Sequence, residues 1–309
     1  MILVFPALKR RGRKDHARES ETVVEGSAAE GNPDSTKGAP GDGRAGRNLP
    51  AAIAVGVVLG AVIIGSLYFV EELFLAVVAV AVGAGVNELV KAFAASDIRV
   101  PLIPVLAGSA GMLAAAYWGG TTWLLGLFAL LAFGLMAWRM FLGAENYVRE
   151  TAATVLTLVY PSLLAAVVAL MLAQPHGPDR VIVFIATTAA SDIGGYAAGV
   201  LFGKHPMSPT ISPKKTWEGF AGSSLMCMAV GAWLMVWLLD GEIWQGVLFG
   251  AVMVVFATVG DLVESVIKRD VGMKDMGKAL PGHGGWMDRL DSLVAASIPA
   301  WILLSIFVH

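Results

Sequence analysis

The chain has 309 residues, of which 56% are hydrophobic and 15% are charged, and its formal net charge is -2. A mean hydropathy of +0.70, with repeated apolar runs of about 20 residues, is typical of a protein that crosses a membrane several times. This composition argues against a soluble globular protein. The single cysteine, Cys227, excludes an intramolecular disulfide framework and a cysteine-based metal cluster.

The chain divides into a polar tail and an apolar remainder. From Lys9 to Asn48 the sequence is rich in Gly, Pro, Ser, Glu and Arg and has no hydrophobic periodicity, so it cannot bury enough apolar area to offset the entropy of folding. We predict that residues 1–48 form a disordered basic and polar tail, and that residues 49–309 form a polytopic transmembrane domain.

The apolar runs after residue 48 predict an all-α integral membrane protein with about nine transmembrane helices. Pro, Gly and Ser residues separate the runs, and Ser212-Pro213 is predicted to be the N-cap and first turn of a helix. The predicted helices cover approximately residues 49–69, 71–92, 100–119, 121–140, 147–172, 179–203, 216–239, 244–268 and 287–307.

Positive charge falls almost entirely on one side of this arrangement. With nine spans, 21 of the 22 Lys and Arg residues lie in the tail or in the loops on the tail's side, and only Arg180 lies on the other. Because cytoplasmic loops of membrane proteins retain positive charge, we predict a cytoplasmic N-terminus and a polar cavity facing the cytoplasm.

The stretch Ser265 to Asp291 concentrates charge between two apolar runs. Its nine charged side chains are Lys268, Arg269, Asp270, Lys274, Asp275, Lys278, Asp288, Arg289 and Asp291. So many charges between two apolar runs are hard to explain by solvation alone, and our hypothesis is that the stretch is a catalytic loop at a membrane surface. In its PGHGG segment, Gly284 and Gly285 let the backbone approach a ligand and His283 can donate to an oxyanion, although a plain surface turn is the alternative.

Acidic residues inside the predicted spans need a reason, because an unpaired charge at membrane depth is costly. Asp192 lies near mid-membrane, and Asp261, Ser265 and Lys268 share one helical face through their i, i+4, i+7 spacing. Asp288 and Asp291 can point into the bundle together. Such carboxylates suit Mg²⁺, whereas the alternative is that Asp288 and Asp291 cap the last helix and pair with Arg289 or Lys268.

Two other charged pairs have local interpretations. Glu88 and Lys91, one turn apart, predict a local ion pair. Lys214 and Lys215 follow Ser212-Pro213 in the predicted first turn of a helix, where free N–H groups beside two ammonium groups favour a phosphate. Ordinary positive-inside charge is the alternative interpretation of the two lysines.

Together these residues resemble the signature of the phosphatidate cytidylyltransferase (CDP-diacylglycerol synthase) family. The resemblance is carried by Ser265, Lys268, Arg269, Lys274, Asp275, Gly277, Leu280, Pro281, His283, Gly284, Gly285, Asp288, Arg289 and Asp291, and by the upstream segment from Ser191 to Phe220. Trp286 and Ile193 depart from the usual residues of that pattern.

The resemblance implies that residues 49–309 are a catalytic domain that transfers a cytidylyl group from CTP to phosphatidate. It implies that Asp261, Asp288 and Asp291 bind Mg²⁺, with Asp192 deeper, beside that ion or on a second cation. The phosphates would be bound by Lys268, Arg269, Lys274 and Arg289. Lys214 and Lys215 would bind CTP or the lipid headgroup. Asp275 belongs to the catalytic signature, His283 would stabilise developing charge, and Ser265, Gly284 and Gly285 would line the nucleotide site.

The expected partners are therefore CTP, phosphatidate and membrane lipid, without nucleic acid. We further expect a location in the plasma (inner) membrane and a homodimer. Two alternatives stay open: a CTP-dependent lipid kinase, which would release CDP rather than pyrophosphate, and an ion-coupled transporter, in which the acids would line a path across the membrane.

Overall fold

The computed structural model describes residues 49–209, 211–273, 276–277 and 285–308. These residues form helices joined by short loops, with one small hairpin of two strands, β1 (Pro206–Ser208) and β2 (Ser212–Thr216). A π-helical turn, Leu158–Leu163, joins the helices Tyr147–Thr157 and Leu164–Leu172 without a break. The helices are α1 (Leu49–Phe69), α2 (Glu71–Ala94), α3 (Leu102–Met140), α4 (Tyr147–Thr157), α5 (Leu164–Leu172), α6 (Gly177–Phe202), α7 (Trp217–Leu239), α8 (Ile243–Asp270) and α9 (Met287–Phe307).

Seven helical segments of the described chain are long and apolar enough to cross a membrane. They are α2, α3, the continuous segment Tyr147–Leu172, α6, α7, α8 and α9. α1 is also strongly apolar over its 21 residues. The expectation of an all-helical integral membrane protein is confirmed in this coarse form, with the β1–β2 hairpin as the exception to all-α structure.

Helix α3 turns back on itself at Gly120. This residue has φ 72° and ψ -166°, a backbone conformation that glycine adopts without the steric cost of a side chain. A methyl group placed on Gly108 would come within 2.9 Å of Leu131 Cδ1, and one on Gly111 within 3.3 Å of Leu127 Cδ2. The two halves of α3 therefore run alongside each other, and they correspond to the predicted runs 100–119 and 121–140.

The prediction that Ser212-Pro213 opens a helix is wrong. Ser212–Thr216 is strand β2, which pairs antiparallel with β1 through the partners Ser208 and Ser212 and the partners Pro206 and Thr216. Helix α7 begins at Trp217, and the Thr216 hydroxyl caps it by accepting a hydrogen bond of 3.1 Å from Gly219 N–H. The fixed φ of proline suits an edge strand as well as a first helical turn, so the Ser-Pro pair did not discriminate between them.

Helices α6 to α9 approach each other closely where small residues meet. A methyl group on Gly222 of α7 would overlap with Ala198 of α6, and one on Gly260 of α8 would come within 2.5 Å of both Ala295 Cβ and Asp291 O on α9. In lipid, helix association depends on such packing because apolar side chains gain little by leaving the hydrocarbon. The close crossing of α8 and α9 places residues 260–264 directly beside residues 291–292.

Arg180 fastens the start of α6 to the end of α9. Its guanidinium is buried and donates to the carbonyl oxygens of Pro175, Leu304 and Val308, each at 2.8 Å, and to Gln174 Oε1 at 2.7 Å. No carboxylate of the described residues pairs with it in these contacts. The Leu304 carbonyl also accepts from the Val308 N–H at 3.1 Å, and the carbonyls at the end of a helix lack the full set of helical donors. The arginine therefore links the start of α6 to the end of α9.

Candidate active site

A polar cavity of about 340 Å³ lies between α6, the β1–β2 hairpin, α7, α8 and α9. The hairpin contributes two lysines, α6 and α8 each contribute an aspartate, and hydroxyl groups complete the lining. The side chains that carry these groups are Ser191, Asp192, Tyr196, Ser212, Lys214, Lys215, Thr216, Ser223, Thr258, Asp261 and Ser292. Sequence positions about 100 residues apart are thus brought into one chamber.

Lys215 is held against the acidic wall of this cavity. Its Nζ lies 2.6 Å from Asp261 Oδ2 and 3.3 Å from the carbonyl oxygen of Thr258, both on α8. Lys214, the next residue of β2, is exposed and also lines the cavity. Successive side chains of a strand point to opposite sides. The side chains of Lys214 and Lys215 therefore do not lie next to each other as they would in the first turn of a helix, which we had predicted.

Two carboxylates, Asp192 and Asp261, line the cavity, and a third, Asp291, lies near them on α9. Asp192, Asp261 and Asp291 each act electrostatically on the other two, and Arg289 acts on Asp192. Asp291 is only 7% exposed, and its Oδ1 accepts a hydrogen bond of 2.6 Å from the backbone N–H of Ser292. We call Asp192, Asp261 and Asp291 the acid group.

A second charged group sits where α8 ends and α9 begins. Lys268 Nζ lies 2.9 Å from Glu264 Oε2 and 2.8 Å from Asp288 Oδ1, and Asp288 Oδ2 accepts a 2.9 Å hydrogen bond from Gly285 N–H. Glu264 is 1% exposed, and its Oε1 has no hydrogen-bond partner among the described residues. The residues predicted to act together on one face of α8 therefore have different partners: Asp261 pairs with Lys215 of the hairpin, and Lys268 pairs with Asp288 of α9.

Glu88 of α2 is a component of this region whose role the sequence did not reveal. Instead of pairing with Lys91, its buried carboxylate accepts a hydrogen bond of 3.0 Å from the backbone N–H of Met287, the first residue of α9. A methyl group on Gly277 or Gly285 would overlap with the Glu88 carboxylate. Two signature glycines therefore leave room for a carboxylate that caps α9 from another helix.

The remaining predicted residues fall into three classes. Ser265 is partly buried on α8 and Arg269 is exposed near its end, and neither lines the polar cavity. Arg289 is exposed and lies on the neighbouring apolar cavity. Lys274, Asp275, His283 and Gly284 lie outside the described residues.

The predicted metal ligands do not form a complete metal site in the described part of the chain. No group of three or more Asp, Glu, His or Cys side chains there has an arrangement that could hold a metal ion. The chemistry of the acid group nevertheless fits a cation, since three carboxylates lie near one another and Lys215 already pairs with one of them, Asp261. Mg²⁺ prefers one or two carboxylates together with water and phosphate oxygens.

An apolar cavity of about 560 Å³ adjoins the polar one. It lies between α1, α2, α6 and α9, and Asp192 and Ser292 line both cavities. The rest of its lining is mainly aliphatic and includes Ile63, Leu73, Val77, Val80, Ile185, Leu290 and Leu293. A single ligand with a polar end and a hydrocarbon end could thus contact both chambers at Asp192 and Ser292.

Comparison with known proteins supports the resemblance that the signature residues carry. The model of the "Cytidylyltransferase family" matches residues 50–307. A phosphatidate cytidylyltransferase of Mycobacterium bovis is 43% identical over 283 residues, which cover 85% of this chain and 90% of the relative. That of Mycobacterium leprae is 39% identical over 289 residues, covering 88% and 91%. One from Helicobacter pylori is 38% identical over 131 residues, covering 42% and 49%. The match along nearly all of the described chain shows that this protein belongs to the cytidylyltransferase family.

Proposed function

We propose that this protein transfers the cytidylyl group of CTP to phosphatidate and releases CDP-diacylglycerol and pyrophosphate. One observation supports this function beyond the family: a polar cavity lined by two lysines and two carboxylates meets an apolar cavity at Asp192 and Ser292. One substrate of the reaction is a water-soluble nucleotide and the other is a lipid. A site with two adjoining chambers of opposite polarity suits that pair.

The proposed reaction needs no covalent bond between the protein and its substrates. An oxygen of the phosphatidate phosphate attacks the α-phosphorus of CTP, the new P–O bond forms, and the bond to the β-phosphate breaks so that pyrophosphate leaves. The lipid phosphate is already an anion at neutral pH, so no separate base is needed. Catalysis then depends on positioning and on neutralising the charge of the phosphates.

The lysines and arginines are placed to supply that neutralisation. Lys214 and Lys215 enter the polar cavity from the hairpin, where they would bind the triphosphate. Arg289 lines the apolar cavity, where it would bind the lipid phosphate. Lys268, held by Glu264 and Asp288, would face the phosphates from the end of α8, together with Arg269 and Lys274.

The acid group would hold Mg²⁺ through Asp261 and Asp291, with Asp192 deeper. A bound Mg²⁺ would neutralise charge on the nucleotide phosphates and on the departing pyrophosphate. Asp288 stays a predicted ligand, although its two oxygens already accept from Lys268 and from Gly285 N–H. The Lys215 ammonium forms an ion pair with the Asp261 carboxylate. We infer that, when CTP and the cation bind, Lys215 leaves Asp261 and binds a phosphate, while Asp261 binds the cation. The role predicted for His283, stabilising developing charge, is part of the same proposal.

The nine-span topology and its orientation are part of the proposal. The reversal of α3 at Gly120 turns one long helical element into two antiparallel halves, which with α1 would raise seven long segments to nine spans. The positive-inside distribution then puts the hairpin and the α8–α9 loop in the cytoplasm, where CTP is available. A location in the plasma (inner) membrane and a homodimer stay predictions, and the mass of the purified protein in nanodiscs tests the dimer.

The purified protein in detergent micelles with phosphatidate, CTP and Mg²⁺ provides the test. We expect CDP-diacylglycerol and pyrophosphate in equal amounts by mass spectrometry, with loss of both after chelation of divalent ions and recovery on adding Mg²⁺. Asp261→Asn should reduce turnover at least 100-fold, as expected for the loss of a group that organises charge on transferring phosphates. Formation of CDP and a phosphorylated lipid would show the kinase activity instead, and product formation that persists through chelation would remove the metal.

A further inference from the structure

We propose that Tyr160 is a positioning residue that fixes the acid group through the backbone of α8; this inference rests on the proposed function. Its hydroxyl donates a buried hydrogen bond of 3.1 Å to the carbonyl oxygen of Gly260, the residue immediately before Asp261. The side chain is 6% exposed and lies among the apolar residues packed beneath the start of α9, including Leu89, Met287 and Val294. Tyr160 itself lines neither the polar nor the apolar cavity.

The bond is made at the point where α8 and α9 come closest. A methyl group on Gly260 would come within 2.5 Å of Ala295 Cβ and of the Asp291 carbonyl oxygen. A carbonyl oxygen has two lone pairs, so Gly260 can accept from Tyr160 and keep its helical hydrogen bond. The phenol is also close enough to Asp261, Glu264 and Asp291 to sense the charge of all three. Fixing Gly260 therefore restrains α8 and the adjoining α9, which supply Asp261 and Asp291.

An irregular helix presents Tyr160 to Gly260. The π-helical turn Leu158–Leu163 contains Tyr160 and Pro161, and single π-turns inside α-helices are often found at functional sites. The extra residue rotates the helical face by about 100° relative to a regular α-helix. A regular helix through these residues would thus direct the phenol away from its present position.

The π-turn is stabilised by its own hydrogen bonds rather than left as an unpaired defect. Pro161 has no N–H to donate to the carbonyl of Thr157, and the Ser162 hydroxyl donates to that carbonyl instead, at 3.1 Å. The Ser162 and Ser109 hydroxyls are 2.7 Å apart, which ties the turn to α3. The turn that carries the phenol is therefore held by its own Ser162 hydrogen bond and by α3, and the phenol in turn contacts α8.

Replacing the phenol by a phenyl ring isolates the hydrogen bond. Tyr160→Phe keeps the packed ring, so we expect correct folding and a kcat about tenfold lower, the change in rate for a hydrogen bond of ordinary net strength. KM for CTP should change less than about twofold, because no substrate contact is removed. The matched control is Tyr117→Phe, which removes a similar hydroxyl hydrogen bond, 2.7 Å to Glu71 Oε2, outside both cavities, and kcat should stay at the wild-type level.

Two further measurements separate positioning from general stabilisation. In an Asp261→Glu background the carboxylate is already displaced, so Tyr160→Phe should lower the remaining kcat by less than about twofold, a coupling that a double-mutant cycle detects. Amide hydrogen exchange over residues 257–265 should be faster in Tyr160→Phe than in wild type or Tyr117→Phe. This exchange readout does not need the proposed activity, so a wild-type protein without cytidylyl transfer would still test the bond.

Equal tenfold losses in the wild-type and Asp261→Glu backgrounds would show that Tyr160 acts elsewhere. Unchanged exchange over residues 257–265 would show that the bond does not restrain α8. Either result would overturn the proposal, whereas the coupled loss of kcat with faster local exchange would support it.

Discussion

Lys215 Nζ and Asp261 Oδ2 lie 2.6 Å apart, joining the β1–β2 hairpin to the middle of the active-site helix α8. Their side chains are 24% and 35% exposed, so both groups stay accessible from the polar cavity. The pair brings the lysine that we propose binds CTP into direct contact with a predicted metal ligand. In the absence of substrate, the ammonium offsets part of the negative charge that the cation and the phosphates would otherwise balance.

The first prediction concerns this lysine. Lys215→Met should lower kcat/KM for CTP at least 100-fold, because a preorganised charge on the phosphates is lost while the aliphatic stem is kept. Initial rates over a range of CTP concentrations measure the effect. Lys204 is exposed at the base of the same hairpin and lines neither described cavity, so Lys204→Met is the control and should stay within about twofold. A Lys215→Met enzyme as efficient as the control would contradict the assignment.

The second prediction concerns the buried pair of Lys268 and Glu264. Lys268→Met leaves Glu264 buried and unpaired, so we expect the free energy of unfolding to fall by about 3 kcal/mol. Adding Glu264→Gln removes the more deeply buried of the two carboxylates that Lys268 contacts, the other being Asp288. It should restore much of the lost stability, while activity stays low because Lys268 is missing. Denaturant titration in micelles, followed by tryptophan fluorescence, gives the comparison. If the double variant were less stable than Lys268→Met alone, the electrostatic explanation would fail.

Glu88 provides the third prediction. Glu88→Gln keeps an oxygen that can accept from Met287 N–H, whereas Glu88→Ala leaves that buried donor unpaired at a cost of about 1–3 kcal/mol. We therefore expect the glutamine variant to be more stable than the alanine variant and to retain more cytidylyl transfer. Thermal unfolding and steady-state rates of the two proteins test this order. Equal stability of the alanine variant and the wild type would show that the hydrogen bond from Met287 N–H to Glu88 does not stabilise the protein.

The fourth prediction concerns a residue outside both cavities. Arg180 donates to three main-chain carbonyls and to Gln174 Oε1, and lysine cannot reproduce that planar set of donors. Arg180→Lys should lower the free energy of unfolding by about 2 kcal/mol, with kcat per folded molecule unchanged. Denaturant titration and active-site-normalised rates separate the two effects. A selective loss of kcat at full stability would place Arg180 in the catalytic machinery instead.

The sequence predicted the helices well because apolar runs of membrane length leave few other structures open. Each predicted run matches one helical segment of the described chain to within two residues at either end, and the runs 100–119 and 121–140 match the two halves of α3. The hairpin was missed because Ser-Pro suits an edge strand and a first helical turn equally. Strand pairing between Pro206 and Thr216 depends on tertiary contacts that local sequence does not encode.

The sequence indicated which charged residues to expect near the candidate site, but it did not indicate which of them pair with each other. Asp192, Asp261 and Asp291 do act on one another, as their positions in membrane-embedded runs suggested. Helical spacing alone put Asp261 and Lys268 on one face, but it could not show that the hairpin takes one and α9 the other. Glu88 and Tyr160 contribute through bonds to backbone groups 199 and 100 residues away, and no local pattern carries such a signal.

The position of the label from CTP tests the central claim most directly. Purified protein with phosphatidate and Mg²⁺ would be given CTP labelled in either the α- or the γ-phosphate, and the lipid fraction would then be counted. Cytidylyl transfer predicts label in the lipid from α-labelled CTP only, with the γ-label recovered in pyrophosphate, and loss of the signal in Lys215→Met but not in Lys204→Met. Label entering the lipid from γ-labelled CTP would contradict the account.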